Sequence, residues 1–142
     1  MQNEYKDIEG ITAILKYNDT ILIGKRSTSK SLAPDRWNFI GGRVEEGESV
    51  FEACIREVKE ETNIDISDLR IVLIGTKDIS WGDNSLIHMN TFYIDISNID
   101  ILCVKLNEEH SELHFCNIND FKDFNIIGYT EEEIREFFDF CS

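Results

Sequence analysis

Three closely spaced glutamates, Glu57, Glu60 and Glu61, are the strongest candidates in the sequence for a metal or catalytic site. Successive helix residues turn by about 100°, so spacings of three and four bring these carboxylates into one arc of roughly 100°. Like charges at such spacings destabilise a helix by about 0.2–0.5 kcal/mol per pair, and the helix dipole disfavours anions near the C-terminal end. A helix selected only for stability would avoid this arrangement, whereas Mg²⁺ and Mn²⁺ prefer oxygen ligands. The cluster therefore predicts a divalent-cation site, with a solvated acidic helix face as the alternative.

The residues around these glutamates favour the cation site. Gly41 and Gly42 allow a tight turn in which the backbone approaches a ligand closely, and the Gly42 carbonyl is a candidate neutral oxygen ligand. Arg56 can hydrogen-bond to a neighbouring carboxylate, with Glu48 and Glu60 as candidates, and so orient it. Together this loop and helix would hold cations against phosphates.

The segment spanning residues 42–64 resembles the Nudix box, whose pattern is G-x5-E-x7-R-E-U-x-E-E-x-G-U, with U a bulky aliphatic residue. The residues that match at the correct spacing are Gly42, Glu48, Arg56, Glu57, Val58, Glu60, Glu61 and Ile64. The last glycine position holds Asn63, and asparagine is the next-best residue for a left-handed conformation. Ile40 stands where many members have proline before the two glycines. The pattern is long and specific, and every acidic position in it is kept.

This resemblance implies a mechanism. Glu57, Glu60 and Glu61 would bind Mg²⁺ or Mn²⁺, with the Gly42 carbonyl as a further candidate ligand. The cations would neutralise a diphosphate and lower the pKa of a bound water, which would attack phosphorus. Arg56 completes the candidate catalytic set of the box.

Family members often use a glutamate downstream of the box as general base or additional metal ligand. In this chain Glu112, just before the predicted last strand, is the first choice and Glu109 is the second. A surface loop carboxylate is the alternative for each. His110 and His114 lie nearby, and we expect them to be structural or exposed rather than catalytic.

The resemblance also implies a substrate class, because the family typically hydrolyses a nucleoside diphosphate linked to another group. The chain has no proline after the box, where ADP-ribose hydrolases commonly carry one. It also has no tyrosine between Tyr17 and Tyr93, where dinucleoside-polyphosphate hydrolases often carry one. These absences favour a MutT-like enzyme that cleaves a nucleoside triphosphate to a nucleoside monophosphate and pyrophosphate. The alternatives are another derivative, such as ADP-ribose or a nucleotide sugar, and a nucleotide-binding regulator without turnover.

Candidate substrate contacts lie outside the box. An aromatic platform for a nucleobase is available in Trp81, Phe92 or Tyr129. Arg26, with Lys25 beside it, can meet substrate phosphates, and simple surface charge is the alternative reading of both.

Charge and composition limit the partners. The formal net charge is −14 over 142 residues, and a field of that sign repels nucleic-acid backbones. We therefore expect no DNA or RNA duplex binding, and a nucleotide would meet the protein through bound cations. The four cysteines have no zinc-ligand spacing, residues 1–10 are polar and acidic and are not expected to act as a signal peptide, and no apolar run in the sequence has the length of a membrane span. These features predict a cytoplasmic protein with reduced thiols and no membrane contact, and the family likeness adds a homodimer as an option.

The elements that must position the box can be read from hydrophobic periodicity and turn signals. Strands are predicted at residues 11–17 and 20–25, which form a hairpin, and at residues 37–40, 69–80, 86–96 and 113–118. Helices are predicted at residues 49–63 and 130–140, the second opened by a capping box of Thr130 and Glu133. This order predicts one α/β domain over residues 1–142, a Nudix-like α/β/α sandwich with a central mixed β-sheet between helices.

Overall fold

The computed structural model describes residues 6–27, 35–80 and 84–140. Within these ranges the chain forms six strands, two α-helices and two short 3₁₀ helices. The strands are β1 (Lys6–Tyr17), β2 (Thr20–Arg26), β3 (Trp37–Arg43), β4 (Val72–Ser80), β5 (Ser85–Asp95) and β6 (His110–Asn117). The α-helices are α1 (Val50–Thr62) and α2 (Glu131–Asp139), and the 3₁₀ helices are Ile101–Cys103 and Phe121–Phe124.

The strands form one mixed sheet in the order β4-β5-β1-β3-β2-β6. β1 runs parallel to β5, and the other neighbouring strands are antiparallel. The predicted hairpin of β1 and β2 turns at Asn18, whose φ of 54° is left-handed. The predicted mixed sheet is therefore confirmed within the described residues.

Alternation along the strands divides the core into two layers, one on each face of the sheet. On one face, Ile11 and Leu15 of β1 belong to a core that includes Cys54 and Val58 of α1; we call this the α1 face. On the other, Ile14 belongs to a core that includes Ile134, Phe137 and Phe138 of α2; we call this the α2 face. Helices thus cover both faces, which confirms the predicted α/β/α sandwich.

Helix α1 begins and ends as the sequence predicts. Ser49 caps it in a reciprocal capping box with Glu52. Asn63 ends it in the left-handed conformation, with a φ of 66°, and its side-chain amide donates a 2.9 Å hydrogen bond to the Cys103 carbonyl. Asparagine therefore fills the usual glycine position of the box and adds a tertiary contact. The capping box of Thr130 and Glu133 on α2 is also present.

Several element boundaries differ from the sequence-based expectation. β1 begins at Lys6 rather than residue 11, because its first half pairs with β5 from Lys6–Ser85 onward. β4 begins at Val72 rather than residue 69, and β6 begins at His110 rather than residue 113. Pairing between distant segments sets these boundaries, and local periodicity does not report it. Among the described helices, none has the length and apolarity needed to span a bilayer.

Candidate active site

The last turns of α1 carry the three predicted carboxylates at increasing depth. The Glu60 side chain is 53% exposed, that of Glu57 is 14% exposed, and Glu61 is 3% exposed overall. Glu57 and Glu60 line a cleft of about 700 Å³, which we call the acidic cleft. Its other lining residues are Gly41, Gly42, Arg43, Glu45, Arg56, Asn107, Glu108 and Glu109. The structure therefore gathers glutamates from α1 and from the segment before β6 around one space.

Gly42 lets the Glu57 carboxyl lie against the β3 backbone. A Cβ atom at position 42 would collide with the carboxyl carbon and both carboxylate oxygens of Glu57. Glycine is thus required here for close packing of a side chain rather than for an unusual backbone angle.

Burial and mutual repulsion perturb the two inner carboxyls. Burial raises the pKa of Glu57 above its usual value. The pKa of Glu61 is raised well above its usual range by burial, by a hydrogen bond to Glu57 and by the charges of Glu57 and Glu109. The Oε2 atom of Glu61 is buried without a hydrogen-bond partner among the described residues. Such a group gains from a neighbouring positive charge.

Arg56 places a positive charge beside Glu57 and Glu60 and ties the loop to the helix. Its Nη1 donates to Glu57 Oε1 at 2.8 Å and to Glu60 Oε2 at 3.2 Å. Its Nε and Nη2 donate to the two oxygens of Glu48 at 2.7 and 3.0 Å, and Nη2 also donates to the Arg43 carbonyl. These contacts lower the pKa of Glu48 to about 2. Arg56 therefore positions carboxylates at both ends of the Nudix-like segment.

The donor set fits a hard divalent cation in chemistry. Several carboxylates line one cleft, and Oε2 of Glu61, next to the cleft residue Glu57, is buried without a hydrogen bond among the described residues. As placed, no three His, Cys, Asp or Glu side chains in the described ranges form a ready coordination site. Arg56 engages Glu57 and Glu60, so binding a cation requires these side chains to rearrange.

The downstream glutamate at the cleft is Glu109, not the first choice Glu112. Glu109 lines the acidic cleft, and its charge contributes to the raised pKa of Glu61. Glu112 pairs with Lys25 on β2 and is exposed. Leu113, the next residue, packs on the α1 face, so Glu112 points to the α2 face, away from α1. The structure does not bring Glu112 to the other carboxylates, because the intervening sheet separates them.

A β-bulge causes this separation. Arg26 pairs with His110 and Lys25 pairs with Glu112, which leaves Ser111 as an extra residue without a partner on β2. The extra residue shifts the alternation, so His110 faces α1 while Glu112 does not. Sequence inspection alone gives no sign of this bulge.

A second cavity of about 380 Å³ adjoins the acidic cleft, and we call it the apolar cavity. Both spaces are lined by residues 41–43 of β3. The other lining residues are Ile8, Gly10, Ile11, Thr12, Arg26, Asn38, Phe39, Ile79, Ile87, Met89, Ile127, Gly128 and Tyr129. An apolar space with few polar groups beside an acidic cleft is the usual form of a small-molecule site.

Two of the predicted substrate contacts line this cavity. Arg26 is at its wall, and Tyr129 lies at another part of the wall with its hydroxyl 2.9 Å from Thr91 Oγ1. Trp81 lies outside the described residues. Phe92 is wrong as a platform, because it is fully buried in the core of the α1 face.

Sequence reasoning missed Asn38 and passed over His110. Asn38 lines the apolar cavity, and His110, which is 5% exposed, contacts the Asn38 side chain. His110 was expected to be structural or exposed rather than catalytic; it is buried, and its Nδ1 atom lies 3.4 Å from Glu61 Oε1, so a structural residue here lies next to a site carboxylate. The adjacent residues Glu109 and His110 are the types expected at an active site, but the face of the sheet to which His110 points depends on the bulge, which the sequence does not reveal.

Comparison with known proteins agrees with this geometry. The family profile described as the NUDIX domain matches residues 8–138, which is nearly the whole chain. This chain belongs to the Nudix hydrolase family. The predicted family is therefore confirmed, and with it the predicted membership of a family of hydrolases that act on pyrophosphate bonds.

Curated Nudix relatives show a range of named activities. The chain is 26% identical to the m7GpppN-mRNA hydrolase NUDT17 of Xenopus laevis, over 96% of this chain and 45% of that protein. It is 29% identical to the CTP pyrophosphohydrolase of Escherichia coli, over 79% of this chain and 77% of that protein. The chain thus spans about half the length of the frog relative.

A solved Nudix structure shares the fold. The E. coli dihydroneopterin triphosphate pyrophosphohydrolase superposes with a TM-score of 0.77 at 20% identity, covering 97% of this chain and 99% of that one. At this identity the likeness shows the fold alone.

Proposed function

We propose that this Nudix protein catalyses Mg²⁺-dependent hydrolysis of a diphosphate linkage in a nucleoside diphosphate derivative. The preferred substrate is a nucleoside triphosphate, cleaved to a nucleoside monophosphate and pyrophosphate. The observation that carries the proposal is the shared wall of residues 41–43, which places the acidic cleft directly beside the apolar cavity. A nucleotide has the same two parts, a charged phosphate chain joined to a flat base.

Each part of the site has a role in this proposal. Glu57, Glu60 and Glu61 hold the cation, for which Mn²⁺ is a possible substitute, and the Gly42 carbonyl is a further candidate ligand. When bound, the cation neutralises phosphate charge and lowers the pKa of its coordinated water. Arg56 positions the carboxylates through the contacts to Glu57 and Glu60.

The general base, or an additional ligand, is assigned to Glu109 in place of Glu112, since Glu109 faces the cleft. Arg26 is assigned to contact phosphates where the two spaces adjoin, because it lines the apolar cavity and is close enough to Glu109, which lines the acidic cleft, for their charges to interact. Tyr129 supplies an aromatic wall for the base.

Names of similar proteins support a triphosphate substrate without deciding it. One relative is named for CTP, and one fold neighbour is named for dihydroneopterin triphosphate. The frog relative is named for an mRNA cap. ADP-ribose and nucleotide sugars are the alternative substrates, and a non-catalytic nucleotide-binding regulator is the alternative function.

Cellular setting forms part of the proposal. In the described ranges Cys54, Cys103 and Cys116 are free thiols, which a reducing compartment maintains, so we propose a cytoplasmic location. The partner is a small nucleotide, and the net charge of −14 supports the expectation of no nucleic-acid duplex binding.

A substrate screen tests the function. The purified protein is incubated with Mg²⁺ and nucleoside triphosphates, ADP-ribose or nucleotide sugars, and the products are separated by ion-exchange chromatography. We expect a nucleoside monophosphate and pyrophosphate from at least one triphosphate, and no products after chelation of the metal. Release of inorganic phosphate and a nucleoside diphosphate would place the cleaved bond elsewhere. Nucleotide binding without turnover on any substrate would support the regulator.

A further inference from the structure

His110 lies between a carboxylate of α1 and a lining residue of the apolar cavity. The residue is 5% exposed and lies at the start of β6. Its Nδ1 atom is 3.4 Å from Glu61 Oε1, and its Nε2 atom is 3.3 Å from Asn38 Oδ1. Glu61 interacts with the carboxyls of Glu57 and Glu109, whereas Asn38 lines the apolar cavity. One rigid ring therefore contacts a residue of each functional region.

Two features of the neighbouring backbone make room for this ring. A Cβ atom on Gly24 would lie 2.8 Å from Nε2 and 2.9 Å from Cγ of His110, so only glycine at this position lets the imidazole pack flat against β2. The bulge at Ser111 then turns His110 toward the α1 face, where Glu61 lies. Bulges often re-aim a side chain next to an active site. A residue that only filled space would not need both features.

The contacts of the ring limit how its neighbours can move. The two ring nitrogens belong to one rigid planar ring, so a tilt of the ring alters both contacts at once. Neighbours that orient a metal-binding or catalytic carboxylate typically change metal affinity or activity by about 10–100-fold when removed. An amide whose oxygen is engaged, like that of Asn38, offers its NH₂ group as a donor to an acceptor on a bound molecule.

We propose that His110 is a positioning residue that couples recognition of the base at Asn38 to placement of the Glu61 carboxylate. This inference rests on the proposed function, which assigns Glu61 to the cation and the apolar cavity, where Asn38 lies, to the nucleotide base. It adds a link between them: a base that engages Asn38 well also favours the ring position that serves Glu61. The identity of the base should therefore affect kcat as well as the affinity for the nucleotide.

Two substitutions separate the halves of this link. The amide nitrogen of asparagine occupies nearly the place of Nδ1, and that of glutamine nearly the place of Nε2. His110→Asn should therefore keep the contact to Glu61 and lose the contact to Asn38. His110→Gln should do the reverse.

The experiment compares both variants with the wild type in three measurements. These are kcat and KM on two nucleoside triphosphates with different bases, Mn²⁺ affinity by paramagnetic titration without nucleotide, and thermal unfolding as a check of the fold. For His110→Gln we expect about a tenfold loss in kcat and in Mn²⁺ affinity. The ratio of kcat/KM between the two nucleoside triphosphates should stay as in the wild type. For His110→Asn we expect near-normal Mn²⁺ affinity and a raised KM. The ratio of kcat/KM between the two nucleoside triphosphates should approach one.

His114→Asn and His114→Gln are the matched controls. His114 lies on the same strand, but it stacks on Phe124 on the α2 face, and its side chain is 39% exposed. These controls should leave Mn²⁺ affinity and the base preference unchanged.

The outcomes separate the two claims. If the wild type cleaves no nucleotide, the proposed function fails, and the Mn²⁺ titration still tests the contact to Glu61. If the wild type is active but both His110 variants bind Mn²⁺ and discriminate bases as it does, the positioning role is wrong and the function stands. Equal losses in every measurement, with lowered thermal stability in both variants, would show a packing role only and would also overturn the proposal.

Discussion

The guanidinium of Arg56 and the carboxylate of Glu48 are joined by two hydrogen bonds, from Nε to Oε2 at 2.7 Å and from Nη2 to Oε1 at 3.0 Å. This pair connects the loop after β3 to the middle of α1, eight residues later in the chain. Bidentate arginine–carboxylate pairs of this kind add geometric specificity as well as energy. The loop is thereby held at a defined distance from the helix that carries the carboxylates.

Glu48→Gln should weaken this connection in a pH-dependent way. The pKa of Glu48 is lowered from 4.5 to about 2, chiefly by the hydrogen bond from Arg56. A depressed carboxyl pKa stabilises the folded state above the unfolded pKa, and this stabilisation is lost as pH falls through the folded pKa. The wild type should therefore be more stable than the variant at pH 7, and the difference should shrink from about pH 5 toward pH 2. Urea unfolding at several pH values measures it.

The neighbouring Glu46 provides the control, because it is exposed on the same loop. Glu46→Gln should show little difference from the wild type across this range. Equal behaviour of the two variants would mean that the pair with Arg56 does not stabilise the fold.

Gly42→Ala should damage the site more than the fold. The new Cβ would displace the Glu57 carboxyl, so we expect a loss of at least about tenfold in hydrolysis and in Mn²⁺ affinity. Gly75→Ala on β4 is the control, since a Cβ there meets nothing within 4 Å. Steady-state kinetics and a Mn²⁺ titration report the effect. Normal metal binding in Gly42→Ala would show that the close approach of Glu57 is dispensable.

Glu61→Gln should abolish hydrolysis while stabilising the metal-free protein. Burial raises the pKa of Glu61 well above 4.5, so the folded state holds this proton more tightly than the unfolded chain. Stability contributed by the group is therefore present below about pH 4.5 and is lost as pH rises toward the folded pKa. Glutamine cannot ionise, so the variant should gain stability relative to the wild type as pH increases from 5 to 8.

Thermal unfolding with and without Mg²⁺ checks this prediction. Mg²⁺ should stabilise the wild type by binding the folded state, and it should have little effect on Glu61→Gln. Glu60→Gln is a useful comparison, because its side chain is 53% exposed: it should lose activity as well, with a smaller gain in stability. Full activity in both variants would falsify the metal-site assignment.

The two downstream glutamates make a direct comparison. Glu109→Gln should slow turnover by about 10²-fold or more, as expected on loss of a general base, because Glu109 lines the acidic cleft. Glu112→Gln should retain nearly normal kcat, because Glu112 is on the opposite face of the sheet. Single-turnover kinetics at saturating Mg²⁺ distinguish the two. The reverse result would return the role to Glu112.

Local patterns were enough to predict α1 and its carboxylates. Helical spacing places Glu57, Glu60 and Glu61 together, and the caps at Ser49 and Asn63 mark both helix ends. These features depend on residues within one or two turns of each other, which sequence inspection can compare directly. The sandwich itself followed from the order of strands and helices and from the family resemblance.

The rest of the site depends on long-range pairing. A single bulged residue, Ser111, decides which of two nearby glutamates faces α1. The apolar cavity forms where β1 lies parallel to β5, with Gly10 beside Met89, and where the segment before α2 meets β3. No local signal reports either arrangement, so Asn38 and Met89 could not be named in advance.

Among the described residues, the linings of the acidic cleft and the apolar cavity share only residues 41–43, so substitutions elsewhere in the cavity, apart from Asn38, leave the cleft residues and the contacts of His110 in place. Ile79, Ile87, Met89 and Ile127 shape the apolar cavity but do not line the acidic cleft. Libraries randomised at these four positions can therefore be screened for activity on new substrates while the residues of the acidic cleft stay unchanged. During evolution, mutations at the same positions can change the substrate preference while the residues of the acidic cleft stay unchanged.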